Sequence, residues 1–147
     1  MTNGIRNTNM SVEQYEILPI TAEEDLVRVR RATRVLCIKL GFNLVEQTKM
    51  ITAASELARN TLVFGGGGEV QIQVLLEPGC AGLRLIFEDN GPGIPNIELA
   101  MKDGYTTGNG LGLGLSGSKR LVNEFDISSQ IGKGTRVSIT RWKSNIT

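Results

Sequence analysis

Histidine is missing altogether from the 147 residues, and with it go imidazole acid–base chemistry, imidazole metal ligation and any phosphohistidine within this chain. Cysteine is almost as scarce. Cys37 and Cys80 lie far apart and in no Cys-x-x-Cys pair, which excludes a disulfide framework or a zinc site and leaves two plain thiols. No apolar run approaches the ~18 residues of a membrane span, and the polar stretch from Met1 to Ser11 lacks the apolar segment of a signal peptide. No membrane association is expected, and the protein is placed in the cytoplasm. The net charge of +1 is built from interspersed signs with no basic stripe, so nothing points to a nucleic-acid partner.

What is there fits one domain. A chain of this length, 40% hydrophobic and 21% charged, can bury a core without staples and has no room for a second unit. Residues 1–12 read as a flexible tail, and 13–147 as the domain. Gln14 to Leu18 forms a short strand turning Ile17 and Tyr15 toward the core, with Pro19 ending it. Thr21-x-x-Glu24 has the form of a capping box, followed by Leu26, Val29, Thr33, Leu36 and Leu40 at helical spacing. Asn43-x-x-Glu46 starts a second helix with Ile51, Ala54, Leu57, Ala58 and Thr61 on its apolar side, broken at Gly65 to Gly68.

Val70 to Leu76 and Leu83 to Phe87 alternate with period two about Pro78-Gly79 and form a hairpin. Ile97 to Lys102 makes a short helix, Asp103 to Asn109 a polar loop, and Leu115 to Glu124 a further helix. Ile127 to Ile131 and Thr135 to Trp142 close the chain as a second hairpin over Gly132-Lys133-Gly134. The expected fold is a two-layer α/β sandwich, a mixed and mainly antiparallel sheet with helices on one face.

Three pieces carry chemistry. Glu56 and Asn60, four apart, project from one face of a helix, so an acid and an amide can meet one ligand. Asp89-Asn90-Gly91-Pro92-Gly93-Ile94 ends an apolar strand with a carboxylate and two glycines, suiting an acceptor for an exocyclic amine beside backbone that approaches a flat base closely. Gly110-Leu111-Gly112-Leu113-Gly114 runs into a helix at Leu115, whose free N–H groups favour phosphate oxygens. Taken singly, each has a plain reading: an exposed helical Glu, a helix-end Asn, an Asn-Gly turn. Two look-alikes fail. Gly112-x-Gly114-x-x-Gly117 lacks the strand that a dinucleotide fingerprint needs before it, and Gly112 to Lys119 lacks the Lys directly after the glycine of a P-loop.

In this order, with Gly132-Lys133-Gly134-Thr135 as a fourth box, these residues resemble the Bergerat-fold, or GHKL, ATPases. That superfamily contains type II topoisomerases, Hsp90 chaperones, MutL-like proteins, histidine kinases and anti-sigma-factor kinases. The words Ser55-Glu56-Leu57-Ala58-Arg59-Asn60, Glu88-Asp89-x-Gly91-Pro92-Gly93-Ile94-Pro95 and Gly110-Leu111-Gly112-x-Gly114-Leu115-x-Gly117-x-Lys119-Arg120-Leu121 are similar to the RsbT-like serine/threonine switch kinases of bacterial partner-switching, or stressosome, pathways.

The resemblance implies a Bergerat ATP-binding fold with ATP and Mg²⁺ as cofactors. It makes Glu56 the general base and Asn60 the magnesium ligand, and it sets Asp89 on the adenine amino group with Gly91, Gly93 and Ile94 around it. Thr107, Gly108, Gly110, Leu111, Gly112, Leu113 and Gly114 fall to the lid and phosphates, and Thr135 to the adenine pocket. Lys119 and Arg120 are given no role. The implied activity is phosphorylation of a STAS-domain protein, with a second regulatory target, a phosphatase, cyclase or sigma factor, bound after release. The competing readings are an anti-sigma factor that sequesters a sigma factor and phosphorylates its antagonist, a detached ATP-binding domain needing a His-bearing partner, and a simple ATPase.

Overall fold

The structure is a computed structural model that describes residues 10–102 and 114–144. Its frame is a five-stranded sheet in the order β1-β2-β3-β5-β4, from β1 (Ser11–Ile20), β2 (Gly68–Glu77), β3 (Cys80–Asp89), β4 (Glu124–Gln130) and β5 (Gly134–Trp142). All four strand pairings are antiparallel, so the sheet is more uniform than the mixed one expected. The helices are α1 (Glu23–Lys39), α2 (Leu44–Val63), α3 (Ile97–Ala100) and α4 (Leu115–Arg120). Among the described residues no helix is long and apolar enough to cross a membrane.

The period-two pattern of the central hairpin holds from Val70 to Val74 and then breaks, since Leu75 is buried and Leu76, expected on the core face, is exposed. Val70, Ile72 and Val74 of β2 and Leu83, Leu85 and Phe87 of β3 turn to one face, where they meet Val29 and Leu36 of α1 and Met50, Ala54 and Leu57 of α2 in one core. The register Val70↔Phe87, Ile72↔Leu85, Val74↔Leu83 keeps these side chains in cross-strand pairs. The small Ala53, Ala54 and Ala58 let the site-bearing helix α2 lie close on the sheet.

Several local expectations shift. β1 begins at Ser11, inside the expected tail, and runs through Pro19, because an edge strand tolerates a missing N–H. A bulge between Gln14 and Glu16 then changes its facing: Leu18 and Ile20 go inward, while Ile17 and Tyr15 stay half exposed. The first helix is capped one residue later than Thr21-x-x-Glu24 implies. Asp25 Oδ2 accepts the N–H of Thr21 at 2.8 Å and of Ala22 at 3.2 Å, and Ala22 itself offers no side-chain acceptor. The second cap is as read: Asn43 Oδ1 takes the Glu46 N–H at 2.8 Å, and Glu46 Oε1 takes the Asn43 N–H at 2.9 Å. Finally α4 stops at Arg120 instead of Glu124, because Glu124 already pairs with Thr140 as the start of β4.

Candidate nucleotide site

Helix α2 carries Glu56 and Asn60 at the border between core and solvent, because Leu57 and Ala58 between them are drawn into the core. Both are half-buried. The Asn60 carbonyl accepts two N–H groups, from Phe64 and Gly65, each at 3.0 Å, which closes the helix end and turns the chain across the pocket mouth. Its side-chain nitrogen is buried with no hydrogen-bond partner among the described residues. A buried amide left so costs about 1–3 kcal/mol, which a ligand beside it would recover. An amide whose other end is a neutral oxygen also suits Mg²⁺ sharing phosphate oxygens.

Asp89 closes β3 opposite that helix end. Its Oδ1 accepts the N–H of Gly91 at 2.9 Å and of Thr135 at 3.3 Å, which fixes the carboxylate and leaves Oδ2 for a ligand donor. Burial pushes its pKa above the ordinary carboxylate value of 3.8, against the lowering effect of the Gly91 and Thr135 N–H groups.

Glycines let three backbone segments meet around this carboxylate. A Cβ on Gly65 would stand 2.5 Å from Asp89 Oδ2, and one on Gly91 would stand 2.6 Å from the Gly65 carbonyl oxygen. Gly93 sits at φ +80° with its α-carbon against the carbonyl of Gln130, a conformation and contact that fit only glycine. The Ile94 N–H donates to Ser129 Oγ at 2.7 Å, and that hydroxyl also lies 2.8 Å from Thr135 Oγ1 and 3.1 Å from the Gly134 carbonyl. The hairpin loop is thereby tied to the Asp89 segment.

The resulting pocket is lined by Leu57, Asn60 and Phe64 on the helix side and by Asp89, Ile94 and Thr135 on the sheet side, over a floor of Phe87 and Val137. The cavity between its walls is only about 20 Å³. Apolar walls with an acid and an amide at the rim fit a flat heterocycle that carries polar edges. The walls must part to admit one.

Gly114 abuts Glu56: a Cβ there would lie 2.8 Å from both Cβ and Oε1 of the glutamate. The described end of the glycine loop is thus brought to the acid. Thr107, Gly108, Gly110, Leu111, Gly112 and Leu113 lie outside the described residues. Of the expected site, the structure sets Asn60, Asp89, Ile94 and Thr135 on the pocket wall, packs Gly91 against Gly65 and Gly93 against Gln130, and brings Gly114 to Glu56, one turn before Asn60. Sequence reasoning passed over Gly65, whose tract looked like a mere break beside the site, and Ser129, whose hydroxyl has no motif to announce it.

Residues 45–145 match the family model of the Histidine kinase-, DNA gyrase B-, and HSP90-like ATPase. The chain belongs to this ATPase family. It is 44% identical over 123 residues to the serine/threonine-protein kinase RsbT of Bacillus subtilis strain 168, covering 84% of this chain and 92% of RsbT. It is 34% identical over 129 residues to an anti-sigma F factor of Clostridium kluyveri, covering 84% and 89% of the two chains. A Mycobacterium tuberculosis chain solved with its RsbU and RsbW domains superposes with a TM-score of 0.55 at 20% identity, over 91% of this chain and 32% of that one. This last likeness concerns the fold alone. The family match begins just after the Asn43 cap, so it takes in α2, the Asp89 turn and the closing hairpin, the three segments that meet at the pocket.

Proposed function

We propose that this protein is an ATP- and Mg²⁺-dependent serine/threonine kinase that phosphorylates a STAS-domain protein in a bacterial, cytoplasmic partner switch, then binds a second regulatory target. The observation that carries the reading is the meeting of Asn60 and Asp89 on one pocket, with Glu56 one turn before Asn60 on the same helix and against Gly114, in a chain 44% identical to a protein named as a serine/threonine kinase. Asp89 accepts the adenine amine, and the orphaned Asn60 amide faces the phosphates. Asn60 would hold the Mg²⁺, which would supply positive charge against that developing on the phosphates.

Glu56 orients the incoming serine hydroxyl and takes its proton as the oxygen bonds to the γ-phosphorus and the bond to ADP breaks. Most of the rate comes from positioning, since phosphoryl transfer asks little covalent work of the protein. The test is transfer of labelled γ-phosphate from Mg-ATP to STAS-domain proteins of the same genome. Serine or threonine labelling that falls by at least ~100-fold in Glu56→Ala supports the kinase. ATP binding without labelling, together with capture of a sigma factor, overturns it in favour of the anti-sigma reading that the second relative's name suggests.

A further inference from the structure

The even charge of the chain hides a local excess. From Leu26 to its end, helix α1 carries Arg28, Arg30, Arg31, Arg34 and Lys39 and no acid, whereas the whole chain sums to +1. Of these cations only Arg28 is in an ion pair among the described residues, and its partner Asp25 is committed to the helix cap. Beside this helix lies a cleft of about 300 Å³ against the edge strand β1. Leu18, Ala32 and Leu36 line it, with Tyr15 and Val35 at the rim, 48% and 49% exposed. Arg28 and Arg31 line its helix side, and Lys39 Nζ stands 5.9 Å over the Tyr15 ring. The strand side is of opposite sign, since Glu16 lines the cleft and Glu13 shares its face of β1.

We propose that this cleft docks an amphipathic helix of a partner protein, with its apolar stripe in the cleft and its acidic flank along α1. The charge arrangement selects the occupant. A nucleic-acid backbone or an anionic membrane is negative everywhere and would meet Glu13, Glu16, Glu23 and Glu24. A protein helix can set acids on one flank and bases on the other. Strand addition to β1 is disfavoured because the bulge at Gln14/Glu16 and the missing donor of Pro19 interrupt its edge. The chain's own residues 1–9 carry a single charge, Arg6, of the wrong sign for α1. The nucleotide pocket lies between α2 and β3, so a helix on the β1 side leaves it open to ATP.

The test is fluorescence anisotropy with three labelled synthetic helical peptides that share a leucine stripe, flanked by Glu on one side and Lys on the other, by Lys on both, or by Glu on both. The split-flank peptide is expected to bind at least ten-fold tighter than the Lys-flanked one and a few-fold tighter than the Glu-flanked one. Arg31→Glu or Val35→Asp is expected to weaken it at least ten-fold, and Lys49→Glu less than two-fold. Both cleft variants expose their changed side chains, and unchanged affinity for a fluorescent ATP analogue certifies their fold. Three results overturn the proposal: no saturable binding of any peptide up to about 1 mM, equal binding of all three, or α1-dependent binding of anionic vesicles or RNA in preference to the split-flank peptide. None of these readouts involves phosphotransfer, so failure here is distinct from failure of the kinase reading.

Discussion

Gly65 and Asp89 are packed so closely that a β-carbon on the glycine would fall 2.5 Å from the aspartate Oδ2. The carboxylate is therefore seated against bare backbone, and its direction is set as much by what Gly65 lacks as by the N–H groups of Gly91 and Thr135.

Gly65→Ala tests that seat. Gly65 does not hold a positive φ, so alanine is tolerated by the backbone and the effect isolates the contact. The added methyl must turn the Asp89 side chain, and ATP affinity is expected to fall at least ten-fold while the turnover number at saturating ATP stays within a few-fold. Isothermal titration and steady-state kinetics separate the two. An equal loss in both would mean general damage instead.

Acidity supplies a second prediction. Burial holds the Asp89 pKa above 3.8, so on acidification the folded protein protonates this carboxylate before an ordinary surface acid. A protonated oxygen no longer serves as a free acceptor, so affinity for ATP is expected to decline as pH falls from about 7 toward 4, with proton release accompanying nucleotide uptake. The stability effect of this group runs the other way. Between the unfolded and the raised folded pKa the native state binds more protons, so Asp89 makes the empty protein less stable as pH rises through that window. Asp89→Asn is expected to bind weakly at all pH values and to lose the slope. A wild-type affinity flat across the window would show that ionised Asp89 is not the acceptor.

How much of this was legible in the sequence depends on the range of the interaction. Asn43 and Glu46 announce their cap because both partners lie within one turn, and Val70 to Val74 announce a strand because burial alternates with the pleat. Tyr15 and Ile17 misled, since a one-residue bulge reverses the facing of a strand and leaves no mark in composition. Asp25 displaced Glu24 as the capping acid by a single position, the least determined feature of any helix end. The site divides in the same way. Glu56 and Asn60 are read from local spacing, whereas Gly65 meets Asp89 across 24 positions and Ser129 meets Ile94 across 35, contacts that only the assembled sheet creates.

Glu46 joins the start of α2 to the end of the described chain. One carboxylate oxygen takes the Asn43 N–H at 2.9 Å and the other the Ser144 N–H at 2.7 Å, and the side chain is almost fully buried. Glu46→Ala removes two charge-assisted bonds, so a loss of about 1–3 kcal/mol in unfolding free energy is expected from urea denaturation. Nucleotide affinity of the folded fraction should be unchanged, because Glu46 lies about four turns before Asn60 on the helix. A stability within ~0.5 kcal/mol of wild type would show that water replaces both bonds.

Ser129 decides whether the Gly93–Ile94 loop is held independently of nucleotide. Its hydroxyl accepts from the Ile94 N–H and has one proton to give, to the Gly134 carbonyl or to Thr135 Oγ1. Ser129→Ala strands the Ile94 N–H and frees Thr135, whose own N–H helps fix Asp89. The expected result is a three- to ten-fold rise in the dissociation constant for ATP, about 1 kcal/mol, which is the usual worth of one such bond. Ser129→Thr restores the hydroxyl and should recover most of the loss. Faster hydrogen exchange at Ile94 in the alanine variant, suppressed again by saturating ATP, would place the effect in this loop. Unchanged exchange at Ile94 would mean that the loop is held by the Gly93 contact with Gln130 alone.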